Sequence, residues 1–226
     1  MTILVTGAAG FIGSHFCEAA LEQGKTVIGL DNFNNFYNPA FKRKNQKAVE
    51  TKATKMQATF VPIEGDIRDA SSIDDIFVNN KIETVVHLAA MAGVRPSIEN
   101  PELYSDVNVQ GTTVLLAAAQ RHAVKNLLFA SSSSVYGNNP KTPFCETDQV
   151  DNPISPYAAT KKAGELLCHT YHIIHGMNIA CLRFFTVYGP RQRPDLAIRK
   201  FAELILDDRE IPVFGDGTKA RDFTYI

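Results

Sequence analysis

Apolar and polar positions alternate along this chain in two repeating patterns. Short apolar runs rich in β-branched residues, of which residues 3–5 are the first, are typical of strands buried on both faces. Between these runs, apolar residues recur at three- and four-residue spacing, as they do on one face of a helix. The alternation predicts an α/β fold, a doubly wound parallel sheet with helices on both faces.

The pattern gives bounds for most of the predicted elements. Strands are predicted at residues 3–5, 26–30, 59–63, 84–88, 126–130 and 178–184, with a further short strand at 212–214. Helices are predicted at residues 11–21, 71–79, 102–121, 155–175 and 196–207, the fourth of them stopped by Gly176. Residues 91–101 are predicted as a loop, because prolines interrupt them. The basic stretch 41–55 is interpreted as a solvated helix face rather than a phosphate-binding patch.

Composition describes an ordinary globular protein of 226 residues, 45% hydrophobic and 21% charged. The net charge of −1 gives no indication of nucleic-acid binding. No apolar run approaches membrane-spanning length, and the first strand leaves no room for a signal peptide before it. The four cysteines lack C-x-x-C spacing and are interpreted as reduced thiols. We therefore expect a cytoplasmic protein without nucleic-acid or membrane partners.

Three glycines follow the first strand and precede the first helix. Gly7, Gly10 and Gly13 allow a sharp turn, a close approach of a ligand to the backbone, and tight packing of helix on strand. The helix would then point its N–H groups and positive dipole end at a phosphate. The spacing is G-x-x-G-x-x-G rather than G-x-G-x-x-G, and a glycine-rich turn without a ligand is the alternative. The context of strand, turn and helix favours a dinucleotide site.

Further residues at predicted strand ends extend this site. Asp31 follows the second strand, where a carboxylate accepts hydrogen bonds from ribose hydroxyls and repels a 2′-phosphate, so NAD is favoured over NADP. Asp66 follows the third strand and can meet an adenine amino group. Ala89 and Ala90 follow the fourth strand, and their small side chains let a ligand lie against the backbone. His87 is interpreted as a packed strand residue rather than a ligand.

A tyrosine and a lysine carry the candidate chemistry. Tyr157 and Lys161 are four residues apart, on one face of a predicted helix. A nearby cation lowers the pKa of a phenol from its ordinary value near 10. Tyr157 can then take a proton from a substrate hydroxyl whose carbon releases hydride. One serine of the cluster 131–134, at the carboxyl end of the fifth strand, would orient the same hydroxyl.

Several segments of the chain resemble the extended short-chain dehydrogenase/reductase family, specifically its nucleotide-sugar epimerases. These segments are residues 6–13, 66–67, 88–90, 108–112, 131–137, 157–161 and 183–190. The resemblance implies a Rossmann domain with bound NAD and a catalytic set of Ser132, Tyr157 and Lys161. It also implies that hydride leaves C4 of the sugar, that the 4-keto sugar rotates, and that hydride returns to the opposite face. The implied cofactor-binding residues are Gly7, Gly10, Phe11, Ile12, Gly13, Asp31, Asn32, Asp66, Ile67, Leu88, Ala89, Ala90, Asn108, Tyr157 and Lys161.

Differences between this sequence and other members of the family narrow the range of expected substrates. Ser133 and Ser134 stand where the 4,6-dehydratases carry an Asp-Glu pair, and serines cannot replace that acid and base. Galactose epimerases carry Asn in place of Thr186 and differ in the stretch 92–101, and at both places this chain is similar to UDP-glucuronate 4-epimerases. A UDP-glucose/galactose or UDP-N-acetylhexosamine 4-epimerase is the alternative. The expected substrate-binding residues are Arg95, Ser132, Ser133, Thr186, Arg193 and Arg221.

Two arginines suit a sugar carboxylate. Arg95 or Arg193 can pair with it bidentately, and Thr186 can donate to it. The alternative is that these arginines meet the diphosphate or form surface ion pairs.

Domain organisation follows from the same resemblance. Residues 1–183 are expected to form the dinucleotide-binding domain, and residues 184–226 the beginning of a small, truncated substrate-binding domain. The truncation is expected because Arg221 begins a diphosphate-binding motif that breaks off midway, which leaves an NAD-holding module without turnover as a further alternative. A homodimer is expected, with the helices at 102–121 and 155–175 forming a four-helix bundle. Histidines spaced by three residues end the latter helix, but without a carboxylate partner they predict no metal site.

Overall fold

A computed structural model describes residues 1–213, 215–217 and 220–226. Its main feature is a six-stranded parallel sheet with the strand order β3-β2-β1-β4-β5-β6. These strands are β1 (Thr2–Thr6), β2 (Thr26–Asp31), β3 (Phe60–Glu64), β4 (Thr84–His87), β5 (Asn126–Ser132) and β6 (Asn178–Phe184). Two further strands, β7 (Thr186–Tyr188) and β8 (Phe223–Tyr225), pair with each other in a small second sheet.

The helices alternate with the strands along the chain. They are α1 (Phe11–Glu22), α2 (Pro39–Met56), α3 (Ala70–Asn79), α4 (Val94–Glu99), α5 (Pro101–Ser105), α6 (Gly111–Arg121), α7 (Pro156–His175) and α8 (Ala197–Leu206). A π-helical turn (Asp106–Gln110) joins α5 to α6, and a 3₁₀ turn (Ser133–Tyr136) follows β5. None of the helices in the described residues is both long enough and apolar enough to span a bilayer.

Strand β1 explains why the sheet is covered on both faces. Successive side chains of a strand point to opposite faces, so Leu4 joins one hydrophobic cluster while Ile3 and Val5 join another. The first cluster is completed by side chains of α3, α6 and α7, and the second by side chains of α1 and α2. Leu4 in the first cluster and Val5 in the second are wholly buried. The predicted doubly wound α/β fold is therefore confirmed.

The strand order reverses beside β1. The chain runs from β1 outward through β2 to β3, and then crosses back to β4 and runs outward through β5 to β6. A doubly wound sheet binds its ligand in the crevice outside the carboxyl ends of the strands at this reversal. The glycine turn that follows β1 lies at that crevice.

Local signals fix the ends of α7, which carries the tyrosine and lysine. Ser155 caps the helix by accepting from the N–H of Ala158, and Pro156 occupies the first helical position. At the other end Gly176 has a φ of 66°, a left-handed conformation that glycine adopts without strain. The predicted stop at Gly176 is thus confirmed.

Several predicted elements differ from the structure. The helix predicted at 102–121 is interrupted by the π-helical turn, and the loop predicted at 91–101 contains α4. Apolar periodicity cannot reveal an extra residue in a single turn, nor a helix as short as six residues. Of the strand predicted at 212–214, residues 212 and 213 have no regular structure and residue 214 lies outside the described residues. Strands β7 and β8 were not predicted, and the domain boundary at 183/184 stays a prediction.

Candidate active site

A cavity of about 490 Å³ opens at the carboxyl ends of the central strands. We call it the central cavity. Its walls come from the glycine turn and α1, from the ends of β2, β4 and β5, from α7, and from the segment 184–196. Ser132, Tyr157 and Lys161 all line it, together with Gly7, Gly10 and Gly13. The structure therefore brings the predicted catalytic set and the predicted phosphate turn to one space.

The glycine turn has no room for side chains. Gly7 has a φ of 70°, and a Cβ on it would lie 2.9 Å from the backbone nitrogen of Ala89. A Cβ on Gly13 would lie 2.1 Å from the carbonyl oxygen of Gly7. Gly10 precedes α1 and no side chain caps this helix, so its first N–H groups face the cavity. This cradle of backbone donors fits a pyrophosphate.

Asp31 is held rigidly at the end of β2, where only 6% of it is exposed. Its Oδ2 accepts from the N–H of Ala9 at 3.1 Å, and its Oδ1 accepts from the N–H of Phe33 at 2.9 Å. Lys42 donates to the same Oδ1 at 3.1 Å and also lines the cavity. Sequence reasoning assigned Lys42 to a solvated helix face, and that interpretation is wrong for this residue. Its place in the first turn of α2, beside Asp31, is the signal that was missed.

Most of the other predicted cofactor residues also line the cavity. They are Phe11, Ile12, Asn32, Ile67, Leu88, Ala89 and Ala90. Asp66 and Asn108 are not among the lining residues. Asp66 pairs with Arg68 and accepts from Asn32, and the hydrogen bonds of Arg68 hold the pKa of this carboxyl well below its usual range.

Asn108 lies behind the cavity wall. It accepts from the N–H of Met91 at 2.7 Å, and it donates to the carbonyl of Met91 and to Thr160. These bonds tie the π-helical turn to the segment after β4 and to α7. They also explain the π-helical turn, because this turn places the amide of Asn108 where it reaches Met91 and Thr160.

His87 is a packed strand residue, as predicted, and only 2% of it is exposed. Thr112 donates to the carbonyl of Asn108 at 2.6 Å, so its oxygen is free to accept from His87 Nε2 at 2.9 Å. His87 Nδ1 then accepts from the hydroxyl of Thr6 at 2.7 Å. Burial lowers the pKa of His87 to about 3, which keeps the ring neutral.

The candidate catalytic side chains come from two elements. Ser132 ends β5 and accepts from the N–H of Ser134, which starts the 3₁₀ turn. Tyr157 lies in the first turn of α7, and Lys161 one turn later. Lys161 is 4% exposed, and its Nζ donates to the carbonyl of Ala130 at 2.7 Å.

The expected lowering of the tyrosine pKa by the lysine is absent from this structure. Lys161 Nζ lies 6.0 Å from the centroid of the Tyr157 ring and donates to the carbonyl of Ala130 on β5. Burial raises the pKa of Tyr157, and the hydrogen bond with Ser132 and the charge of Arg193 offset part of the rise. Burial also lowers the pKa of Lys161, to about 8.

A partly buried ion pair supports the serine end of β5. Ser131 donates to Glu165 at 2.5 Å, and Arg183 donates to both oxygens of Glu165 at 2.9 and 3.0 Å. Glu165 lies one turn beyond Lys161 on α7. Sequence reasoning did not single out this pair, although Glu165 continues the four-residue spacing that begins at Tyr157.

The predicted substrate residues divide into two groups. Ser133, Thr186 and Arg193 line the central cavity, whereas Arg95 and Arg221 are not among its lining residues. Arg193 lies 5.5 Å from the centroid of the Phe36 ring and donates to both carboxylate oxygens of Asp195, at 3.0 and 2.8 Å. Arg95 is exposed in the first turn of α4, and Arg221 is exposed and donates to the carbonyl of Ala220.

The histidines of α7 do not gather around a common point. His172 Nδ1 donates to the carbonyl of Met177 at 2.8 Å, and His175 packs against the ring of Tyr171. Across the part of the chain that the structure describes, no group of three metal-ligating side chains is found.

Comparison with known proteins finds one matching family and several similar enzymes. Residues 3–226 match the NAD dependent epimerase/dehydratase family. The chain is 47% identical to UDP-glucuronate 4-epimerase of Thermodesulfobacterium geofontis, covering 99% of this chain and 67% of that protein. It is 48% identical to UDP-glucuronate 4-epimerase 3 of Arabidopsis thaliana, covering 100% of this chain and 52% of that protein.

A solved structure is similar over the whole chain. It is UDP-glucuronic acid 4-epimerase from Bacillus cereus in complex with UDP-glucuronic acid and NAD, at 40% identity and a TM-score of 0.88. The match covers 100% of this chain and 69% of that one. This chain spans between about half and two thirds of the length of the curated relatives that it matches.

Proposed function

Because this chain belongs to the NAD dependent epimerase/dehydratase family, we propose that it is an NAD-dependent nucleotide-sugar epimerase. The proposed reaction inverts C4 of a UDP-uronic acid through a 4-keto intermediate, with UDP-glucuronate to UDP-galacturonate as the leading reaction. The observation that carries the proposal is the central cavity, which joins the glycine cradle to Ser132, Tyr157 and Lys161. The UDP-glucuronate 4-epimerases among the relatives support the choice of sugar.

The residues of the cavity fit NAD. The glycine cradle and the N-terminus of α1 would hold the pyrophosphate, and Asp31 would accept from a ribose hydroxyl of the adenosine. The carboxylate of Asp31 disfavours a 2′-phosphate at the same position. When bound, NAD⁺ supplies a reversible hydride acceptor for C4 of the sugar, and its positive charge favours the phenolate of Tyr157.

The side chains of this chain then transfer the proton and orient the sugar hydroxyl. Tyr157 takes the proton of the C4 hydroxyl at its phenol oxygen as C4 becomes a ketone, and returns the proton when the hydroxyl forms again. Ser132 hydrogen-bonds the same oxygen and holds it within reach of Tyr157. Lys161 keeps a positive charge near the phenol and, by its bond to Ala130, a fixed position against β5.

The sugar is selected by the residues around this centre. Ser133 and Ser134 offer no acid and base for the loss of water, which favours epimerisation over dehydration. Arg193 and Thr186 lie on the cavity and would meet the sugar carboxylate, for which Arg193 would exchange its partner Asp195. Arg95 and Arg221 remain proposed substrate contacts, although neither lines the cavity.

Incubation of the complete gene product with UDP-glucuronate, followed by chromatography of the nucleotide sugars, tests the proposal. We expect UDP-galacturonate to form, and Tyr157→Phe to abolish its formation while NAD stays bound. The absence of galacturonate with the wild-type protein would reject the assignment. A panel of UDP-glucose, UDP-galactose and UDP-N-acetylhexosamines separates the alternative epimerases. NAD binding without any detectable nucleotide-sugar binding would instead identify an NAD-holding module.

We also propose a homodimer in which two helical segments of each protomer, the continuous segment from α5 through the π-helical turn to α6 and the helix α7, form a four-helix bundle with their counterparts. Exposed apolar residues on these helices support the proposal, since Leu103, Leu166 and Ile173 are 36%, 55% and 66% exposed. Light scattering after gel filtration measures the mass, and a monomer would contradict the dimer. The four free cysteines support the proposed cytoplasmic location, where thiols stay reduced.

A further inference from the structure

Tyr104 lies between two parts of the candidate active site without lining the cavity. It is in α5, and only 1% of it is exposed. Its hydroxyl donates to the carbonyl of Ala92 at 2.6 Å. Its ring meets the ring of Tyr157 edge to face, with the centroids 6.2 Å apart and the planes at 86°.

We propose that Tyr104 is a positioning residue with two separable roles, its hydroxyl holding the cavity wall at residues 92–94 and its ring holding the ring of Tyr157. The inference rests on the proposed function, because the effects of these roles are read from the epimerase reaction. Nothing in the sequence singled out Tyr104, since the segment before it was predicted as a loop and its own segment as a plain helix.

The hydroxyl acts on the wall segment that follows β4. Ala92, Gly93 and Val94 line the cavity, and Gly93 has a φ of 101° that only glycine adopts easily. Side chains hold the start of this segment at two points: Asn108 bonds both backbone groups of Met91, and Tyr104 bonds the carbonyl of Ala92. Loss of the second bond frees the backbone just before Gly93. The cavity wall would become less rigid, and the nucleotide sugar would bind more weakly.

The ring acts on the orientation of the phenol. Edge-to-face aromatic pairs have a preferred geometry, so a buried ring restricts the tilt of its partner. Tyr157 is only half-buried, and Tyr104 belongs to the hydrophobic cluster against which it packs. Without this ring, the phenol oxygen of Tyr157 is free to move relative to Ser132. Proton transfer depends on that distance and is the step that would suffer.

Two substitutions separate the roles. Tyr104→Phe removes the hydroxyl and keeps the ring, so we expect KM for UDP-glucuronate to rise about fivefold, the effect of one lost hydrogen bond, with kcat within about twofold. Tyr104→Leu removes both, so we expect the same rise in KM and a fall in kcat of at least about tenfold. Tyr171→Phe, on α7 but packed against His175, is the matched control and should change neither parameter.

A measurement that needs no turnover completes the test. Tyrosine isotope-labelled at Cζ reports the titration of Tyr157 by NMR, and the Tyr157→Phe variant assigns the signal. We expect Tyr104→Leu to shift the pKa of Tyr157 down toward its ordinary value, because water gains access to the phenol, and Tyr104→Phe to leave it unchanged. If the wild-type protein epimerises no nucleotide sugar, the proposed function fails while this titration still decides the role of the ring.

Each proposed role of Tyr104 has a result that would overturn it. A KM for Tyr104→Phe equal to that of the wild type would overturn the role of the hydroxyl. Equal kcat values and equal Tyr157 titrations in Tyr104→Leu and Tyr104→Phe would overturn the role of the ring. If Tyr104→Leu does not fold, Tyr104→Met takes its place in both comparisons, and Tyr104→Phe still decides the role of the hydroxyl.

Discussion

Substitution of Gly13 by alanine is the most direct test of the glycine cradle. A Cβ at this position would lie 2.1 Å from the carbonyl oxygen of Gly7 and 3.0 Å from the Cα of Ala8. Ordinary contacts of a Cβ begin at 3.4 Å, so the turn and α1 must separate by about 1 Å. The three atoms nearest to this Cβ position all belong to the backbone, so no side-chain rotation can relieve the overlap.

The cost can be estimated from the same geometry. Overpacking typically costs about 1–3 kcal/mol, and an overlap with rigid backbone places Gly13→Ala at the upper end, near ~3 kcal/mol. Alanine regains up to about 1 kcal/mol of helix propensity over glycine. We expect a net loss near 2 kcal/mol, which for a chain of this length lowers Tm by about 4–8 °C. The same displacement moves the N–H groups at the start of α1 away from a pyrophosphate. We therefore expect NAD affinity to fall by at least about tenfold.

Thermal unfolding followed by circular dichroism and NAD titration by calorimetry measure the two effects. Gly24→Ala is the matched control, because Gly24 follows the other end of α1, has a φ of 69° and has no atom within 4 Å of its Cβ position. Backbone strain should lower its Tm while NAD affinity stays at the wild-type value. Unchanged NAD affinity in Gly13→Ala would refute the cradle. An equal loss of affinity in both variants would show that global destabilisation is responsible.

Three further substitutions test contacts in and around the candidate active site. Lys42→Met leaves the buried carboxylate of Asp31 without its cation, and calorimetry should show NAD binding weakened by about fivefold or more; unchanged affinity would exclude Lys42 from the site. Glu18→Gln breaks the ion pair with which Arg191 attaches the segment after β7 to α1. We expect faster NAD release in stopped-flow fluorescence. An unchanged rate would contradict the idea that this ion pair helps to retain NAD. The pKa of His87 is lowered from 6.5 to about 3, so the unfolded chain binds more protons and stability falls as pH drops through that window. His87→Gln should flatten this part of the pH profile in urea titrations, and an equally steep profile would show that other groups cause the loss.

Local signals in the sequence were sufficient for the elements that frame the site. The β-branched run before Gly7 predicts β1 because a strand buried on both faces needs no polar alternation. Ser155 and Pro156 start α7, and Gly176 stops it, through bonds and backbone angles within a few residues. Each of these signals depends on neighbours in the chain, which a sequence displays directly.

Other features depend on contacts between distant segments. Lys42 has the same composition around it as the exposed basic residues of α2, and only the position of Asp31 in space distinguishes it. The interruption of the predicted helix at 106–110 reflects the bonds of Asn108 to Met91 and Thr160. The position of Lys161 Nζ depends on its hydrogen-bond acceptor, and that acceptor is the carbonyl of Ala130 on β5. None of these could be read from residue types and spacing alone.

The approach of α7 to β5 requires glycine at one position. A Cβ on Gly164 would lie 2.3 Å from Cζ of Phe129, whose ring fills the space between the helix and the strand. The same ring lies 5.2 Å from Lys161 Nζ, which passes beside it to reach the carbonyl of Ala130. A larger residue at Gly164 would push the helix outward and lengthen that bond. The position of Lys161 is therefore set by a packing contact on the next turn of the helix.

Two consecutive residues of β5 bond to side chains on two consecutive turns of α7, and these bonds fix the position of the helix along the strand. Ala130 holds Lys161, and Ser131 holds Glu165, which Arg183 braces from β6. Ser132, the next residue of β5, and Tyr157, on the first turn of the same helix, both line the central cavity. Because the neighbouring bonds set the register of helix on strand, the serine and the phenol are brought together before any sugar binds. The proposed epimerisation takes and returns one proton at one oxygen, and it needs such a preset pair because the sugar would turn over within the site.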